Sequence, residues 1–484
     1  MCSLGISVDI VKTAIEHAEV VIAQVNPQMP RTFGDSSIPI ETFDYLVPVD
    51  LPLIEYRIPD PTTETAQIGR YIAALVEDGS TIELGIGRTP HAILEYLKDK
   101  KDLGIHTELF SDEVIDLIEE GVVTGARKTG DPGKVVASFC MGSNRLYRYI
   151  DNNPGFCFRP TEYVNDPAII SQQYKMIAVN TALEVDLTGQ VCSDSLGSEF
   201  YSGIGGQLDF SRGATRSEGG KSIIALPSRA CKGTVSRIVS RLSPGAGVVV
   251  PRADVDYVVT EYGVAYLHGK TIQERAIGLI SIAHPDYHEQ LLREAMAANY
   301  VRNELISFAD KIVYGPLEFL RTVFLKDETP VKLRTIQPTD EVQIKRLFHA
   351  LSPDSIYYRF FAGMKLARSQ IHRFVYINHR DEIAIVAVIP HGEGDTIVAL
   401  GGYVLDPATN QAELAIAVQD SWQRHGIGSA MVKHLIAIAR GQGIRGITAD
   451  VLAVNRGMIS VLEHSGLKWE KTLDRGIFHL EAEF

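Results

Sequence analysis

The sequence has 484 residues, of which 45% are apolar and 22% are charged, and its formal net charge is −13. This length exceeds one ordinary hydrophobic core, so we expect two or three domains, and the acidic balance argues against nucleic acid and anionic membrane surfaces as partners. Five scattered cysteines without a CxxC pair, and no apolar stretch approaching the ~18 residues of a membrane span, predict a cytoplasmic protein outside the membrane.

The first 64 residues predict one helix, one strand and a linker. The helix is expected at 11–18 and a buried strand at 19–25, which Pro27 and Pro30 end. Prolines then recur between residues 48 and 64, which is typical of a connection between two parts of a fold.

From residue 66 to residue 325, helical and strand-like segments alternate. This alternation predicts a mostly parallel or mixed sheet with helices on its faces. The expected helices are at 67–77, 90–98, 112–120, 272–282 and 286–298, and the expected strands at 81–84, 104–109, 135–139, 176–179, 222–226, 248–250 and 257–260.

A glycine turn and a carboxylate stand at the centre of this alternation. The strand at 81–84 leads into Gly85-Ile86-Gly87, and the next helix has Pro90 in its first turn, where a missing N–H costs nothing. Such a turn directs backbone amides and a helix N-terminus at a phosphate or another anion. We expect Glu108 near the carboxyl end of the next strand, at the edge where open α/β sheets bind ligands. Taken alone, the pattern is more often a surface glutamate beside an ordinary βα turn.

Several longer motifs accompany this turn. In chain order they read LGIGRTP (84–90), GIHTELFSD (104–112), EYVNDP (162–167), YSGIGGQLDF (201–210), VVTEYGVA (258–265) and IGLISIAHP (277–285). Across residues 1–300 the sequence therefore resembles the acetyl-CoA hydrolase/transferase family, and most closely its butyrate and 4-hydroxybutyrate CoA-transferase branch. The resemblance implies that residues 1–55 are a remnant of the first of two similar halves plus a linker, without the part that precedes it in the family. Residues 56–326 would be the catalytic second half.

The family resemblance implies a mechanism for Glu108. Family members use a matching glutamate as the nucleophile on an acyl-CoA thioester, which gives an acyl-glutamyl anhydride and CoA thiolate. The thiolate returns to form a glutamyl-CoA thioester, which an acceptor carboxylate resolves. By resemblance, Gly206 contacts the oxyanion and CoA, and Ser202 lines the same pocket. A plain glycine loop is the alternative for both residues.

The resemblance also implies a set of CoA contacts. Asn165 matches an asparagine near the acyl group, and Lys232 matches a lysine that meets CoA, with a solvated lysine as the alternative. Arg88 stands where other members often carry a small residue. The turn that the family uses for CoA is matched here by Gly85, Ile86, Gly87, Arg88 and Thr89.

Four other polar residues are interpreted as structural. We expect Glu261, which lacks a partner carboxylate, to hold a turn by hydrogen bonds. His106, near Glu108, is expected to be packed or solvent-facing rather than an orienting group. His284 and His288 have HxxxH spacing but no third ligand, so the sequence predicts no metal site.

A second enzyme-like block follows a short polar linker. A strand at 412–418 precedes QRHGIGSA (423–430), which opens a helix, and a strand at 447–451 leads to Asn455. Glycines in that position turn consecutive amides and a helix N-terminus towards a pyrophosphate. The block resembles the GNAT acetyltransferase superfamily, and its opening is similar to the protein-lysine acetyltransferase branch. The resemblance implies a GNAT domain at 331–484.

The GNAT resemblance implies further site residues. Glu413 matches the general base on the acceptor amine, with an exposed strand carboxylate as the alternative. The tyrosine that many members use as general acid would fall near Leu462, so that role is missing here. The domain then returns the proton through water or another group, or it binds acetyl-CoA without turnover. The implied acetyl-CoA contacts are Val418, Gln423, Arg424, His425, Gly426, Ile427, Gly428, Ser429 and Asn455.

The sequence therefore predicts an α/β protein with two CoA modules, a CoA-transferase-type open α/β domain followed by a GNAT α/β domain. The predicted reaction is CoA transfer between an acyl-CoA and a short-chain carboxylate through a glutamyl-CoA thioester, with a fused acetyl-CoA-dependent N-acetyltransferase. Acyl-CoA hydrolysis and a non-catalytic CoA-sensing protein are the alternatives. The predicted ligands are coenzyme A or acetyl-CoA, a carboxylate and a protein lysine, without nucleic acid, membrane or metal. A homo-oligomer stays open.

Overall fold

Two units make up the chain, and each is built on one eight-stranded sheet. A computed structural model describes residues 1–325, 327–361, 368–391 and 394–484. The first unit comprises Met1–Tyr287 with Glu294–Val301, and the second comprises His288–Arg293 with Arg302–Phe484. The strands of the two large sheets are numbered in chain order from β1 to β16.

The first sheet consists of eight strands that are mostly buried. They are β1 Thr81–Leu84, β2 Gly104–Phe110, β3 Val135–Cys140, β4 Phe156–Phe158, β5 Met176–Thr181, β6 Lys221–Ala225, β7 Tyr257–Thr260 and β8 Gly263–Tyr266. Their order is β8-β7-β6-β5-β1-β2-β3-β4, and every neighbouring pair is parallel except β7 with β8. Buried parallel strands are expected where both faces of a sheet are covered. The predicted α/β class is confirmed.

Helices cover both faces of the first sheet. Ile68 and Ile72, one turn apart on one helix, are fully buried and belong to the core on the side of Ile82. Phe210 packs in a separate cluster on the opposite side, with Ala178. The helices are Val11–His17, Thr63–Leu75, Arg88–Glu95, Glu113–Glu119, Asn144–Ile150, Thr161–Val164, Pro167–Ser171, Gln207–Arg216 and Ile272–Ile282, and His288–Ala297 follows them.

Two sequence expectations for the first unit are wrong. The predicted buried strand is the largely exposed strand Ile22–Val25, because it pairs with Tyr45–Pro48 alone in a two-stranded sheet. Residues 248–250 form one isolated bridge, from Val250 to Val191, in a loop where Val249 and Val250 are buried and Val248 is exposed. The other short strands of this unit are Cys2–Ser3, Ser37–Ile38, Glu184–Asp186, Val191–Cys192, Ser195–Leu196, Glu199–Phe200, Arg229–Ala230, Val235–Ser236 and Ile238–Val239.

The second sheet is antiparallel apart from one pair of strands. Its strands are β9 Arg321–Phe324, β10 Pro330–Thr335, β11 Glu382–His391, β12 Gly394–Asp406, β13 Gln411–Val418, β14 Gly446–Leu452, β15 Glu470–Asp474 and β16 Ile477–Glu483, in the order β9-β10-β11-β12-β13-β14-β16-β15. The parallel pair is β13 with β14, and its register runs only from Gln411–Gly446 to Glu413–Thr448. The two strands therefore separate beyond Glu413, which opens the sheet at that point.

The helices of the second unit flank this opened sheet. Their bounds are Glu341–His349, Pro353–Phe360, Arg368–Val375, Ile427–Gly441 and Arg456–Glu463. Within the described ranges, no helix of the chain combines the length and the apolar character that crossing a bilayer requires.

Candidate active sites

The carboxylate of Glu108 lies at the carboxyl-terminal edge of the first sheet, as predicted. Glu108 stands two residues before the end of β2 and is half-buried. Asn165, which ends the helix Thr161–Val164, donates a hydrogen bond from Nδ2 to Oε2 of Glu108 over 2.7 Å. The contact fixes one oxygen of the carboxylate, and the buried Oδ1 of Asn165 has no hydrogen-bond partner among the described residues.

Gly206 packs so closely against this pair that no side chain fits there. A Cβ atom at residue 206 would lie 2.3 Å from Oε2 of Glu108 and 2.4 Å from Nδ2 of Asn165. Gly206 directly precedes the helix Gln207–Arg216, so the N-terminal end of that helix adjoins the carboxylate. The structure thus brings three of the sequence-predicted site residues into contact.

Ser202 is not part of this contact. Ser202 is exposed, and its hydroxyl donates to the carbonyl of Gly203 in its own loop over 2.9 Å. The side chain of Lys232 lies outside the described residues, so its contact with CoA stays a prediction.

The glycine turn after β1 keeps its backbone accessible. Gly87 has a φ of +123°, which favours glycine, and the helix after it begins at Arg88 rather than at residue 90, because proline is tolerated throughout a first turn. No described heavy atom lies within 4 Å of a Cβ built at Gly85 or Gly87. The first amides of a helix lack intrahelical partners, so this turn can bind an anion. The structure half-buries Gly85, Ile86 and Gly87, exposes Arg88 and buries Thr89.

A second carboxyl group, Glu83, faces the same side of the sheet as Glu108. Thr81 of β1 pairs with Gly104 of β2. Side chains alternate between the two faces along a strand, so Glu83, two residues after Thr81, and Glu108, four residues after Gly104, lie on the same face. Sequence reasoning missed Glu83. The signal that could have identified Glu83 is its position as an acidic residue inside a short, otherwise buried strand.

The surroundings of Glu83 favour its neutral, protonated form. Glu83 is 4% exposed, and its Oε2 accepts hydrogen bonds from the N–H of Val179 (3.1 Å) and from Nδ2 of Asn180 (2.9 Å). Burial, together with the charge of Glu108, raises the pKa of Glu83 to about 8. The same two causes raise the pKa of Asp209, in the first turn of the helix after Gly206. The neighbours of Glu108 therefore hold protons more tightly than exposed carboxylates do.

The remaining polar candidates of the first unit have structural roles. His106 is fully buried and packs near the ring of Phe210, and its Nε2 donates to the carbonyl of Val164 over 2.8 Å. Burial lowers the pKa of His106 to about 4, so the ring is neutral. Glu261 accepts hydrogen bonds from the N–H and the hydroxyl of Ser228, which confirms its interpretation as a turn-holding residue.

Metal ligands do not converge in the described part of the chain. There, no three side chains of the histidine, cysteine, aspartate or glutamate type are grouped so that they could hold an ion. His284, half of the HxxxH pair, lies 3.3 Å from the carboxylate of Asp286.

The second unit contains a cavity of about 720 Å³ at the point where β13 and β14 separate. Of the predicted acetyl-CoA contacts, His425 and Ile427 do not line it. The His425 ring bonds the carbonyl of Gln423 within the loop, and Ile427 is 1% exposed in the core. The predicted residues that do line the cavity are Glu413, Val418, Gln423, Arg424, Gly426, Gly428, Ser429 and Asn455.

The glycine loop of the second unit holds a free helix N-terminus against the cavity. Gly426 has a φ of +96° and precedes the helix Ile427–Gly441, whose first turn has no side-chain cap. Gln423 fixes the loop by donating from Nε2 to the carbonyl of Val418 (3.1 Å) and to Oγ of Ser355 (3.0 Å). Uncapped amides in this position suit a pyrophosphate.

Three further residues of this cavity escaped sequence reasoning. Tyr358, Arg359 and Asp450 line it, although the sequence predicted no role in the site for any of them. Leu462, where a general-acid tyrosine was sought, is fully buried in the hydrophobic core of the second unit. Its position therefore serves packing.

Three family models match the chain. The acetyl-CoA hydrolase/transferase N-terminal domain matches residues 1–54, and the C-terminal domain of the same name matches residues 142–295. The acetyltransferase (GNAT) family matches residues 346–467, so a GNAT domain is present. The boundaries at 56–326 and 331–484 stay predictions.

The chain is also similar to individual CoA transferases. The 4-hydroxybutyrate coenzyme A transferase of Clostridium kluyveri is 50% identical over 293 residues, which are 60% of this chain and 68% of that protein. The succinyl-CoA:cyclohexane-1-carboxylate CoA transferase of Geobacter metallireducens is 48% identical over 300 residues, 62% of this chain and 68% of the relative. Among solved structures, RipA from Yersinia pestis is 42% identical, covers 62% of this chain with 68% of its own, and gives a TM-score of 0.59.

Glu83→Gln is expected to remove a pH dependence of stability. Folded Glu83 keeps its proton up to about pH 8, whereas the unfolded chain loses it near the ordinary value of 4.5. Between these values the folded state binds more protons, so its free energy of unfolding falls as the pH rises. Glutamine accepts the same two hydrogen bonds without a titrating proton, so the fall should be smaller in the variant.

Urea unfolding at pH 5, 6, 7 and 8 measures this difference. The matched control is Glu120→Gln, because Glu120 is exposed and pairs with Lys98 on the surface. Equal pH slopes for wild type and Glu83→Gln would contradict a neutral Glu83.

Proposed function

Because the chain belongs to the acetyl-CoA hydrolase/transferase family, we propose that its first unit transfers CoA between an acyl-CoA and a short-chain carboxylate, with Glu108 as nucleophile. The observation that carries this proposal is the carboxylate of Glu108 at the open edge of the sheet, hydrogen-bonded to Asn165 and pressed against Gly206. A fixed carboxylate beside free backbone amides is what nucleophilic attack on a thioester requires.

The proposed reaction proceeds by carboxylate and thiolate attacks alone. An oxygen of Glu108 attacks the thioester carbonyl, the C–S bond breaks, and an acyl-glutamyl anhydride and CoA thiolate form. The thiolate attacks the Glu108 carbonyl and releases the first carboxylate, leaving a glutamyl-CoA thioester. The acceptor carboxylate then attacks this thioester, and the thiolate returns to the new acyl carbonyl, which regenerates Glu108. Every step exchanges one anion for another, so no net proton transfer is needed.

The charges around Glu108 support this chemistry. A second ionised carboxylate on the same face would repel both the incoming acceptor and the CoA thiolate. The neutral state of Glu83 removes one such charge at pH 7. The open turn at Gly85–Gly87 and the helix that starts after Gly206 offer amides towards the anionic ligands.

Acyl-CoA hydrolysis is the second candidate, because the matched family models describe hydrolases and transferases together. The covalent intermediate would be the same, and water would resolve it in place of a carboxylate. The two candidates differ in how the rate depends on an added carboxylate.

Steady-state assays with acetyl-CoA and butyrate test the proposal. We expect butyryl-CoA to form with saturation in butyrate and with ping-pong kinetics, and Glu108→Ala to abolish this activity while Glu120→Ala retains it. Free CoA that appears at a rate independent of butyrate would contradict transfer and favour hydrolysis.

Gly206→Ala is expected to lower transfer activity by about 100-fold without unfolding the chain, since ~1 Å of misplacement at a reacting group has effects of this size. The atoms that a Cβ would meet are the ends of two side chains, so Glu108 and Asn165 can move apart and lose their hydrogen bond. The matched control is Gly203→Ala in the same loop, where no described heavy atom lies within 4 Å of a built Cβ. Equal activity of the two variants would show that the close packing at Gly206 is unimportant for transfer.

For the second unit, we propose acetyl transfer from acetyl-CoA to an amine. The support is the cavity where β13 and β14 separate, with Glu413 at the point of separation. The glycine loop and the N-terminus of the helix Ile427–Gly441 follow the end of β13. Glu413 takes one proton of the ammonium group, the amine attacks the thioester carbonyl, and CoA leaves as a thiolate that takes the second nitrogen proton through water. A protein lysine as acceptor and a cytoplasmic location belong to the same proposal.

A further inference from the structure

The cavity of the second unit has two ends that differ in chemistry. The helix Pro353–Phe360 contributes residues to both ends. Near its start, Ser355 donates a hydrogen bond to Asp420 (2.9 Å) and accepts one from Gln423 (3.0 Å), so this end adjoins the glycine loop. Arg359 comes one turn later, ~6 Å further along the helix axis. Its backbone therefore lies one helical turn beyond the residue that contacts the glycine loop.

Arg359 is a charged group whose neighbours, in the part of the chain that the structure describes, are aromatic rather than polar. Its guanidinium lies 5.1 Å from the ring of Phe360 and 6.0 Å from the ring of Phe374, which hold it by cation–π contact. Among the described residues it forms no hydrogen bond and no ion pair, although it lines the cavity together with Glu413. A guanidinium has five N–H donors, and leaving them desolvated and unpaired is costly.

The surroundings of Arg359 differ from those of the other cavity arginines. Burial lowers the pKa of Arg359, and the charge of Glu413 opposes that shift, so the two groups are electrostatically coupled without pairing. Arg424 and Arg456 also line the cavity but are exposed to water, which satisfies their donors. Arg359 alone of these three combines partial burial with unused donors.

We propose that Arg359 binds a carboxylate of the acceptor, so that the second unit acetylates an amine that carries a carboxylate close to its nitrogen. The proposal rests on acetyl transfer by this unit and names its acceptor class. Arginine binds carboxylates through two parallel N–H···O bonds, which fixes orientation as well as charge. With the carboxylate on Arg359, the ammonium group of the acceptor adjoins Glu413, which carries the opposite charge.

The carboxylate has two chemical sources, which an experiment can separate. It is either the α-carboxylate of a free amino acid or an acidic side chain beside a lysine of a peptide. In both, the ammonium group gives one proton to Glu413, nitrogen bonds to the acetyl carbon, and the C–S bond breaks. The thiolate takes the second nitrogen proton through water, and the products are the acetamide and CoA.

The test compares acceptor pairs that differ only in the carboxylate. Lysine is compared with cadaverine, ornithine with putrescine, and a peptide Ac-Asp-Lys-Asp-amide with Ac-Ala-Lys-Ala-amide. The full chain is used with Glu108→Ala in the background, so that the first unit neither consumes acetyl-CoA nor uses the added carboxylates. Acetylated product is quantified by mass spectrometry.

We expect kcat/KM for a carboxylate-bearing acceptor to exceed that of its partner by about 10- to 100-fold, which is the size of a charge-assisted hydrogen bond. Arg359→Gln should remove this preference by slowing the carboxylate-bearing acceptor only, and Arg359→Lys should restore part of it. Arg445→Gln is the matched control, because Arg445 is exposed and pairs with Glu483 on the surface. The pair that shows the preference identifies the source of the carboxylate.

Two results would overturn the inference and one would overturn the proposed function. Equal rates within every pair, or equal slowing of both members by Arg359→Gln, would show that Arg359 recognises no carboxylate. Failure to bind acetyl-CoA in calorimetry would instead remove acetyl transfer itself. If acetyl-CoA binds but no amine reacts, the same acceptor pairs are titrated into the CoA-saturated chain in a calorimeter. Their binding then decides whether Arg359 recognises the carboxylate. Preferential binding of the carboxylate-bearing member, lost in Arg359→Gln, supports the inference, and its absence overturns it.

Discussion

The first unit depends on one contact, the hydrogen bond from Asn165 to the carboxylate of Glu108 beside a residue without a side chain. Its three members come from β2, from the end of a short helix and from the start of a later helix. They meet because parallel strands present their carboxyl ends, and the loops that follow them, at a single edge of the sheet. The reactive carboxylate is therefore positioned by the whole sheet rather than by a local motif.

Each unit buries one titratable side chain near its candidate site, Glu83 in the first unit and, in part, Arg359 in the second. Near Glu108, the sheet buries a second carboxyl group as its neutral acid, which lessens repulsion of anionic ligands. In the second unit, the guanidinium of Arg359 is partly buried against two aromatic rings and forms no hydrogen bond or ion pair with the residues that the structure describes. In the proposed reactions, the first arrangement removes a negative charge near Glu108, and the second leaves the guanidinium available to a carboxylate.

Sequence patterns predicted the elements that local periodicity determines. The strands at 81–84 and 257–260 and the helix at 272–282 have the predicted bounds, and Glu108 lies at the expected edge. Burial was harder to predict, because it depends on which other elements cover a strand or helix. The strand Ile22–Val25 is largely exposed although most of its residues are apolar. Glu83 was missed for a related reason, since its raised pKa depends on burial by the surrounding sheet and on the charge of Glu108 on the neighbouring strand. The motif around Gly426 predicted the loop but not which of its side chains face the cavity.

The central claim, that Glu108 forms a covalent bond to CoA, is tested most directly by intact-protein mass spectrometry. The chain is exposed briefly to acetyl-CoA without an acceptor carboxylate, beside Glu108→Ala and Glu120→Ala. The account predicts an added mass of CoA less one water on the wild type and on Glu120→Ala, and none on Glu108→Ala. An unmodified wild type that still binds acetyl-CoA, or a CoA adduct that persists in Glu108→Ala, would contradict it.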